Sequence, residues 1–197
     1  SGTDVTKQTS DIILLDNNFK TIIAAIHQGR IIFDNIRKIV LYLLIDSFSE
    51  IVLIVGTMIL SLPIPILPAH ILWINVVGST LPSLALTLEP GEPGVLSRKP
   101  RRKNEPLINA HIRLTIFIVG FVINFFLIGL FYYLHSAGYD LDYSRTILFT
   151  ALAIDSLVFV FSCRTLYQSI IHSAPWKNMY LIAGVLISAL LLLLAVY

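Results

Sequence analysis

Charged residues and cysteine are scarce in this sequence of 197 residues. Only 13% of the residues are charged, 56% are hydrophobic, and the mean hydropathy is +0.81. Soluble domains carry about 25% charged residues, so the composition excludes an ordinary soluble domain and indicates an integral membrane protein. The single cysteine, Cys163, excludes an intrachain disulfide and a zinc-type cysteine cluster. We expect its thiol to be a packing group.

Residues 1–4 are polar and do not have the pattern of a signal peptide, a basic region followed by an apolar run, so none is expected in these residues. Either the first membrane helix acts as the insertion signal or further sequence precedes it. The net charge of +2 does not indicate nucleic-acid binding, since the basic residues lie in loops between apolar runs. The expected surroundings are membrane lipid, with no nucleic acid.

What the sequence does contain is a set of long apolar runs. A helical pattern begins at Lys20, and no proline interrupts it before Pro63, which predicts one long stalk helix that continues into the membrane. The apolar runs lie at about 33–60, 69–88, 114–134, 146–167 and 178–197, each close to the ~20 residues that cross a bilayer. The predicted fold is therefore an all-α membrane protein, a bundle of five transmembrane helices.

A soluble segment precedes this bundle. Residues 11–15 read as a short buried strand, and the turn-forming residues 16–18 close it. The opening of the chain is therefore predicted to be soluble in character.

The distribution of basic residues predicts the orientation in the membrane. The connection 61–68 carries no charge, so the first two spans should form a tight hairpin. Basic residues are concentrated in the loops 89–113 and 164–177, namely Arg98, Lys99, Arg101, Arg102, Lys103, Arg164 and Lys177. Because Lys and Arg favour the cytoplasmic side, the N-terminus and these loops are predicted to be cytoplasmic, in a plasma (inner) membrane.

Polar residues interrupt the spans at a common depth. Asp46 and Glu50 are one helical turn apart, and a charge near the membrane midplane costs roughly 2.5–3.5 kcal/mol. From the rise of about 1.5 Å per residue, four spans place polar groups near the middle of the bilayer. These groups are Glu50, Asn75 with Ser79, Asn124 and Asp155. The pattern predicts an intramembrane site for ions.

Pro82 adds a second signal, because a proline within a helix removes the hydrogen bond to the carbonyl four residues back, here Gly78. Free carbonyls, an amide, a hydroxyl and carboxylates together suit a hard cation such as calcium. Other roles remain open at this stage. Asn75, Ser79 and Asn124 are also typical helix-to-helix hydrogen-bonding groups, and Asp46 is equally consistent with a water-accessible or helix-pairing role.

Four segments carry a resemblance to a known family. Residues 1–19, SGTDVTKQTSDIILLDNNF, resemble the end of the phosphorylation domain of P-type cation ATPases, and residues 29–43 resemble the stalk helix that follows it. Residues 72–75, followed by Leu81-Pro82, resemble the sixth membrane helix of the calcium-pump-like branch, and residues 174–176 the entry to the ninth. The chain thus resembles the C-terminal part of such a pump, truncated at both ends.

The resemblance implies two domains. Residues 1–19 would be the C-terminal remnant of the α/β (HAD-like) phosphorylation domain, and residues 20–197 the stalk helix and the C-terminal transport domain. The phosphorylated aspartate and the nucleotide site would precede residue 1. The chain itself would therefore have no catalytic residue and no cofactor, whereas the intact pump would bind ATP and Mg²⁺. Its partners would be the missing N-terminal pump domains and the transported cation.

The resemblance also implies a set of cation ligands. Glu50, Asn75 and Asp155 coincide with cation-binding residues of calcium pumps, and these three are the implied metal ligands. Ser47, Gly78 and Ser79 stand where calcium pumps have asparagine, threonine and aspartate. These three and Asp46, which offers a replacement carboxylate, complete the implied cation-binding set.

The implied function is the transport portion of an ATP-driven P-type cation pump. Upstream aspartyl phosphorylation would act on the membrane site through the stalk helix, residues 20–45. Two alternatives remain open, a gradient-driven cation carrier or channel and a non-catalytic membrane scaffold. A carrier or channel would explain the carboxylates at the midplane but not the soluble segment that precedes the stalk.

Overall fold

The computed structural model describes residues 3–14, 18–100, 106–108, 110–166 and 175–197. The helices in these ranges are α1 (Asp4–Gln8), α2 (Phe19–Ile59), α3 (Pro68–Trp73), α4 (Thr80–Thr87), α5 (Ala110–Ser136), α6 (Leu141–Ser162) and α7 (Met179–Val196). Within the described ranges there is no strand, and five helical segments are long and apolar enough to cross a membrane. These segments are α2, the continuous stretch Pro68–Thr87, the main part of α5, α6 and α7. The all-α, five-span, multi-pass membrane fold is confirmed.

The helix α2 is much longer than a membrane span. It begins after Asn18, whose side chain accepts a hydrogen bond from the backbone N–H of Lys20, and it runs for 41 residues. At about 1.5 Å per residue this is ~60 Å, twice the ~30 Å hydrocarbon thickness of a bilayer. Its N-terminal part must therefore project from the membrane. The predicted continuous stalk-and-span helix is confirmed.

The strand predicted over residues 11–15 is wrong over its described part. Residues 11–14 form no strand, and the side chains of Ile12 and Ile13 are 79% and 48% exposed. A strand is stable only when its backbone groups are paired, and no described segment pairs with this one. The helix α1, capped by the side chain of Thr3, precedes it instead.

Several predicted features lie outside the described residues. They are residue 15 of the strand, most of the turn 16–18, the basic positions 101–103, and most of the loop 164–177 with residue 174.

The second span is irregular, and the irregularity precedes the proline. Between α3 and α4, residues Ile74–Gly78 form a π-helical turn, in which the N–H of Ser79 donates to the carbonyl of Ile74 at 2.8 Å. Pro82 lies in the first turn of α4, where a missing N–H is tolerated. A break in this span was predicted at the backbone hydrogen bond that Pro82 cannot donate to the carbonyl of Gly78. The structure places the centre of the irregularity earlier, in the π turn.

The helix α6 begins earlier than the predicted start at 146 and ends at Ser162 rather than at 167. Its start is fixed by Asp140, whose carboxylate accepts hydrogen bonds from the N–H groups of Asp142 and Tyr143. Arg145, one residue before the predicted span, is consequently inside the helix, and its Nε donates to the carbonyl of Ile64 in the hairpin at 3.0 Å.

The bundle core consists of two separate apolar clusters. One lies towards the hairpin end of the bundle, which we define by residues 60–67 and 137–140. It comprises Leu53, Ile66, Ile74, Leu127, Phe131, Leu134, Leu148, Phe149, Leu152, Ala153 and Leu192. The other lies towards the stalk end, defined by residues 88–100, 163–166 and 175–178. It comprises Leu41, Tyr42, Ile45, Ala85, Leu86, Ile112, Ile116, Val160, Cys163 and Leu181. Cys163 is thus a buried packing group.

The contact between α4 and α7 depends on a glycine. A Cβ atom at Gly184 would lie 3.2 Å from the carbonyl oxygen of Leu81, a backbone atom that cannot rotate away. We expect Gly184→Ala to destabilise the protein by about 1–3 kcal/mol, the usual cost of overpacking. Thermal unfolding of the purified protein in detergent measures this. Gly129→Ala is the matched control, because nothing lies within 4 Å of its added Cβ; equal melting temperatures for the two variants would contradict the prediction.

Candidate functional site

A layer of polar side chains separates the two apolar clusters. All five membrane-spanning segments described above contribute to it. Its buried members are Asp46, Ser49, Glu50, Ser79, Asn124, Ser156 and Ser188, and its half-buried members are Asn75 and Asp155. We call this set the polar layer. Buried polar groups are costly in an apolar bundle unless they are paired or have a function.

Glu50 and Asn75 form one contact of the polar layer. The amide nitrogen Nδ2 of Asn75 donates to Glu50 Oε1 at 2.9 Å and to the carbonyl of Ile71 at 3.0 Å. Since both N–H groups of the amide are used, its oxygen Oδ1 is the atom that can bind a cation. The structure therefore brings together two of the three residues that were predicted as metal ligands.

Asp46 forms a second contact, which joins three helices. Its Oδ2 accepts hydrogen bonds from Ser79 Oγ at 2.6 Å and from Ser156 Oγ at 2.8 Å. The hydroxyl groups of Ser156 and Tyr42 also bond to each other at 2.8 Å. The carboxylate of Asp46 is therefore held by hydroxyl groups from the second span and from α6.

Asp155 completes the carboxylates of the polar layer. It is half-buried on α6, next to Ser156, whose hydroxyl bonds to Asp46. Within the described part of the chain, however, no three His, Cys, Asp or Glu side chains converge as a metal-binding group. Any cation held here must therefore also use amide, hydroxyl or backbone oxygens.

The charge of the polar layer is one-sided. Between the two clusters the sequence has three carboxylates, Asp46, Glu50 and Asp155, and no Lys, Arg or His in residues 46–52, 75–84, 117–126, 154–159 or 182–191. Carboxylates in a low-dielectric bundle require a compensating positive charge or a proton. This arrangement can therefore bind cations and excludes anions.

Other predicted site residues differ in their placement. Gly78 is buried in the π turn, where an added Cβ would lie 3.5 Å from the ring of Trp73. Ser47 is exposed, on a face of α2 that points away from the contacts of Asp46 and Glu50, so the structure does not bring it into the polar layer. Its neighbours Leu43 and Ile51 are exposed on the same face.

Sequence reasoning missed three members of the polar layer, Ser49, Ser156 and Ser188, and the hydroxyl of Tyr42 that bonds to Ser156. Helical spacing could have found two of them. Ser49 is three residues after Asp46, and Ser156 lies between Ala153 and Val160, both buried on one face of α6. The hydroxyl of Tyr42 has no such signal in the sequence, and only the three-dimensional contact with Ser156 shows its polar role.

A second polar network, also missed, lies at the stalk end. Glu89 Oε1 accepts from Arg164 Nε at 3.0 Å and pairs with its Nη2 at 2.9 Å, while Oε2 accepts from Asn178 Nδ2 at 2.7 Å. Asn178 also caps α7 by accepting from the N–H of Leu181. These buried contacts tie the ends of α4, α6 and α7 together.

The stalk part of α2 is held to the same end. Arg30 Nη1 donates to the carbonyls of Val95 at 2.7 Å and Arg98 at 2.9 Å, and Asn35 Nδ2 donates to the carbonyl of Glu89 at 2.8 Å. The loop after α4 is therefore fixed to α2 on one side and to α6 and α7 on the other.

Comparison with known proteins identifies the family of this bundle. Residues 63–197 match the family described as "Cation transporting ATPase, C-terminus". The whole chain is 39% identical to a "Calcium-transporting ATPase" of Bacillus subtilis (strain 168), of which it covers 22%. It is 34% identical, over 97% of the chain, to "Calcium-transporting ATPase 1" of Bacillus cereus (strain ATCC 10987 / NRS 248), of which it covers 23%.

A third relative carries a broader name. "Cation-transporting ATPase pma1" of Synechocystis sp. (strain ATCC 27184 / PCC 6803 / Kazusa) is 31% identical over 90% of the chain, which covers 20% of that protein. The chain thus spans about a fifth of the length of the curated relatives it matches. The five-span bundle, the polar layer and these matches together place the chain in the family of cation-transporting ATPase C-terminal regions, the membrane part of P-type pumps.

Proposed function

We propose that this chain is the transport portion of an ATP-driven P-type cation pump, and that the polar layer binds the transported cation. One observation carries the proposal. Three carboxylates lie between two apolar clusters with no basic side chain at their level. A site of this kind is stable only with a cation or protons in it, and the names of the relatives, calcium- and cation-transporting ATPases, favour a cation.

Glu50, Asn75 and Asp155 are the proposed ligands that bind the cation directly. Ser79, Asp46 and the carbonyls of the π turn at Gly78 supply further oxygens around them. Calcium takes six to eight oxygen ligands from carboxylates, amides, carbonyls and water, and the polar layer offers these groups. Ser47 would join the set only where another part of the full-length protein packs on its exposed face of α2.

The helix α2 provides the mechanical link in this proposal. It is one continuous helix from Phe19 to Ile59, so a displacement of its stalk part reaches Asp46 and Glu50 directly. In the full-length pump, ATP and Mg²⁺ would bind to N-terminal domains, and phosphorylation of an aspartate there would move the stalk. The pump would lie in the plasma membrane, and its stalk end would face the cytoplasm.

Cation-stimulated phosphorylation of the full-length protein by ATP tests the proposal. We expect an acid-stable phosphoenzyme whose level rises with one cation, calcium being the first to assay. Cation flux through liposomes without nucleotide would instead support a gradient-driven carrier. A protein that neither forms a phosphoenzyme nor moves ions, yet folds normally, would be a membrane scaffold.

The contact between Asp46 and Ser79 allows a test in which the carboxylate is moved from one residue to the other. In the full-length protein, Asp46→Asn should raise the cation concentration for half-maximal phosphorylation about tenfold, equal to ~1.4 kcal/mol. Adding Ser79→Asp should restore part of the affinity, because the two side chains touch at 2.6 Å and the carboxylate would return to the same place. A double variant no better than Asp46→Asn would mean that the carboxylate of Asp46 is not part of the cation site.

A further inference from the structure

Two buried atoms of the polar layer have no hydrogen-bond partner in the part of the chain that the structure describes. They are Ser49 Oγ on α2 and Asn124 Oδ1 on α5. Ser49 is 3% exposed and Asn124 is 0% exposed. Since about nine in ten buried polar groups in proteins are hydrogen-bonded, two such atoms in one layer indicate a ligand between them.

The two residues lie on α2 and α5, helices that pack directly against each other. A Cβ at Gly120 would lie 2.6 Å from Phe48 Cδ1, and a Cβ at Gly56 would touch Ile128, so residue 48 lies beside 120 and residue 56 beside 128. In this parallel register residue 52 lies beside Asn124. Ser49 is three residues before it, which is about 4.5 Å along the helix axis. One water molecule with two hydrogen bonds of ~2.8 Å can bridge an axial offset of this size.

The two side chains have fixed roles at this interface. Asn124 Nδ2 donates to the carbonyl of Gly120 on its own helix at 2.7 Å, which leaves Oδ1 as the acceptor. Thr57, also buried on α2, satisfies its hydroxyl by donating to the carbonyl of Leu53 at 3.0 Å. Ser49 makes no bond of this kind.

The surroundings favour water over a cation as the ligand. The rings of Phe117 and Phe121 pack edge-on against Phe48 beside Ser49, with centroids 5.1 and 5.6 Å away, and cover this interface with apolar surface. A hard cation requires at least about six oxygen ligands, whereas the interface offers two unpaired neutral oxygens. A buried water needs only two to four polar partners.

We propose that Ser49 Oγ and Asn124 Oδ1 hold one buried water molecule, and that Asn124 acts through it as a positioning residue for Glu50. Ser49 directly precedes Glu50 and lies one turn after Asp46, so the water fixes the rotation of the turn of α2 that carries both carboxylates. The inference rests on the proposed function, because it assigns α5 a part in the affinity of the same cation site.

The test uses Ser49→Ala, Asn124→Leu and the double variant in the full-length protein. Each single change should raise the calcium concentration for half-maximal phosphorylation about fivefold. This equals ~1 kcal/mol, the usual net contribution of one hydrogen bond. The maximal phosphoenzyme level should not change. Because both residues act through one water, the double variant should be no weaker than the single ones. Ser144→Ala is the matched control, a buried serine that is satisfied by the carbonyl of Asp140.

Two results would overturn the inference. One is an unchanged calcium affinity in both single variants. The other is a loss of affinity in the double variant equal to the product of the two single losses. A high-resolution cryo-EM map of the unsubstituted protein decides the case even where a variant does not fold. Density for a water within hydrogen-bond distance of both atoms supports the site, and a direct contact or an empty gap refutes it. A protein without cation-stimulated phosphorylation would refute the proposed function, while this map would still decide on the water.

Discussion

Glu50→Gln in the full-length protein should raise the calcium concentration for half-maximal phosphorylation about 100-fold, equal to ~2.7 kcal/mol. Glu50 is a buried carboxylate on α2, and the change removes its negative charge while keeping its size. The glutamine carbonyl can still accept the hydrogen bond from Asn75, which the glutamate accepts at 2.9 Å. The loss should therefore appear as reduced cation affinity, measured by phosphorylation from labelled ATP over a calcium series, and not as a loss of folded protein.

Asp142→Asn is the control for this variant. Asp142 is an exposed carboxylate, 85% accessible at its side chain, which pairs with Arg145 at the hairpin end. Its replacement should leave the calcium dependence unchanged. Unchanged calcium affinity in Glu50→Gln itself would remove Glu50 from the site.

Arg164→Met should destabilise the bundle by about 3–5 kcal/mol, the usual cost of removing one partner from a buried ion pair. Arg164 is 3% exposed and Glu89 is 6% exposed, so the variant leaves a buried carboxylate without its main counter-charge. Because Glu89 also holds Asn178 at the start of α7, we expect the ends of three helices to loosen together. Thermal unfolding in detergent, followed by tryptophan fluorescence, measures the loss.

Two further variants make this result specific. Arg145→Met breaks a pair with the exposed Asp142 and a hydrogen bond to the carbonyl of Ile64, and should cost about 1–2 kcal/mol, less than Arg164→Met. Combining Arg164→Met with Glu89→Gln removes the orphaned charge and should recover part of the stability. A melting temperature for Arg164→Met equal to that of Arg145→Met would show that the buried pair does not hold the stalk end together.

The membrane fold was predictable because hydrophobic length is a strong signal. Bilayer thickness sets the length of each span, so the five spans, the long α2 and the short hairpin follow from the order of apolar and polar residues. Three features were predicted wrongly or missed, and each depends on hydrogen bonds that the order of apolar and polar residues does not reveal. The strand predicted at 11–14 has no described partner to pair with, Asp140 caps α6 so that the helix begins five residues before the predicted start, and the π turn has no reliable sequence signal.

The polar layer was only partly predictable. Depth along each helix placed Glu50, Asn75, Asn124 and Asp155 at one level, and the structure places them between the two apolar clusters. Rotation about each helix decides which side chains then meet. Ser79 and Ser156 bond to Asp46 because they face it across the bundle, while Ser47 faces outwards. The network of Glu89, Arg164 and Asn178 joins residues far apart in sequence, so no local pattern indicates it.

Equilibrium binding of radioactive calcium to the purified full-length protein tests the central claim most directly. The comparison is between the unsubstituted protein and the triple variant Asp46→Asn, Glu50→Gln and Asp155→Asn, with folding of both verified by thermal unfolding. The account predicts saturable binding to the unsubstituted protein and none to the folded triple variant. Equal affinity and stoichiometry in the two proteins would show that the polar layer is not where the cation binds.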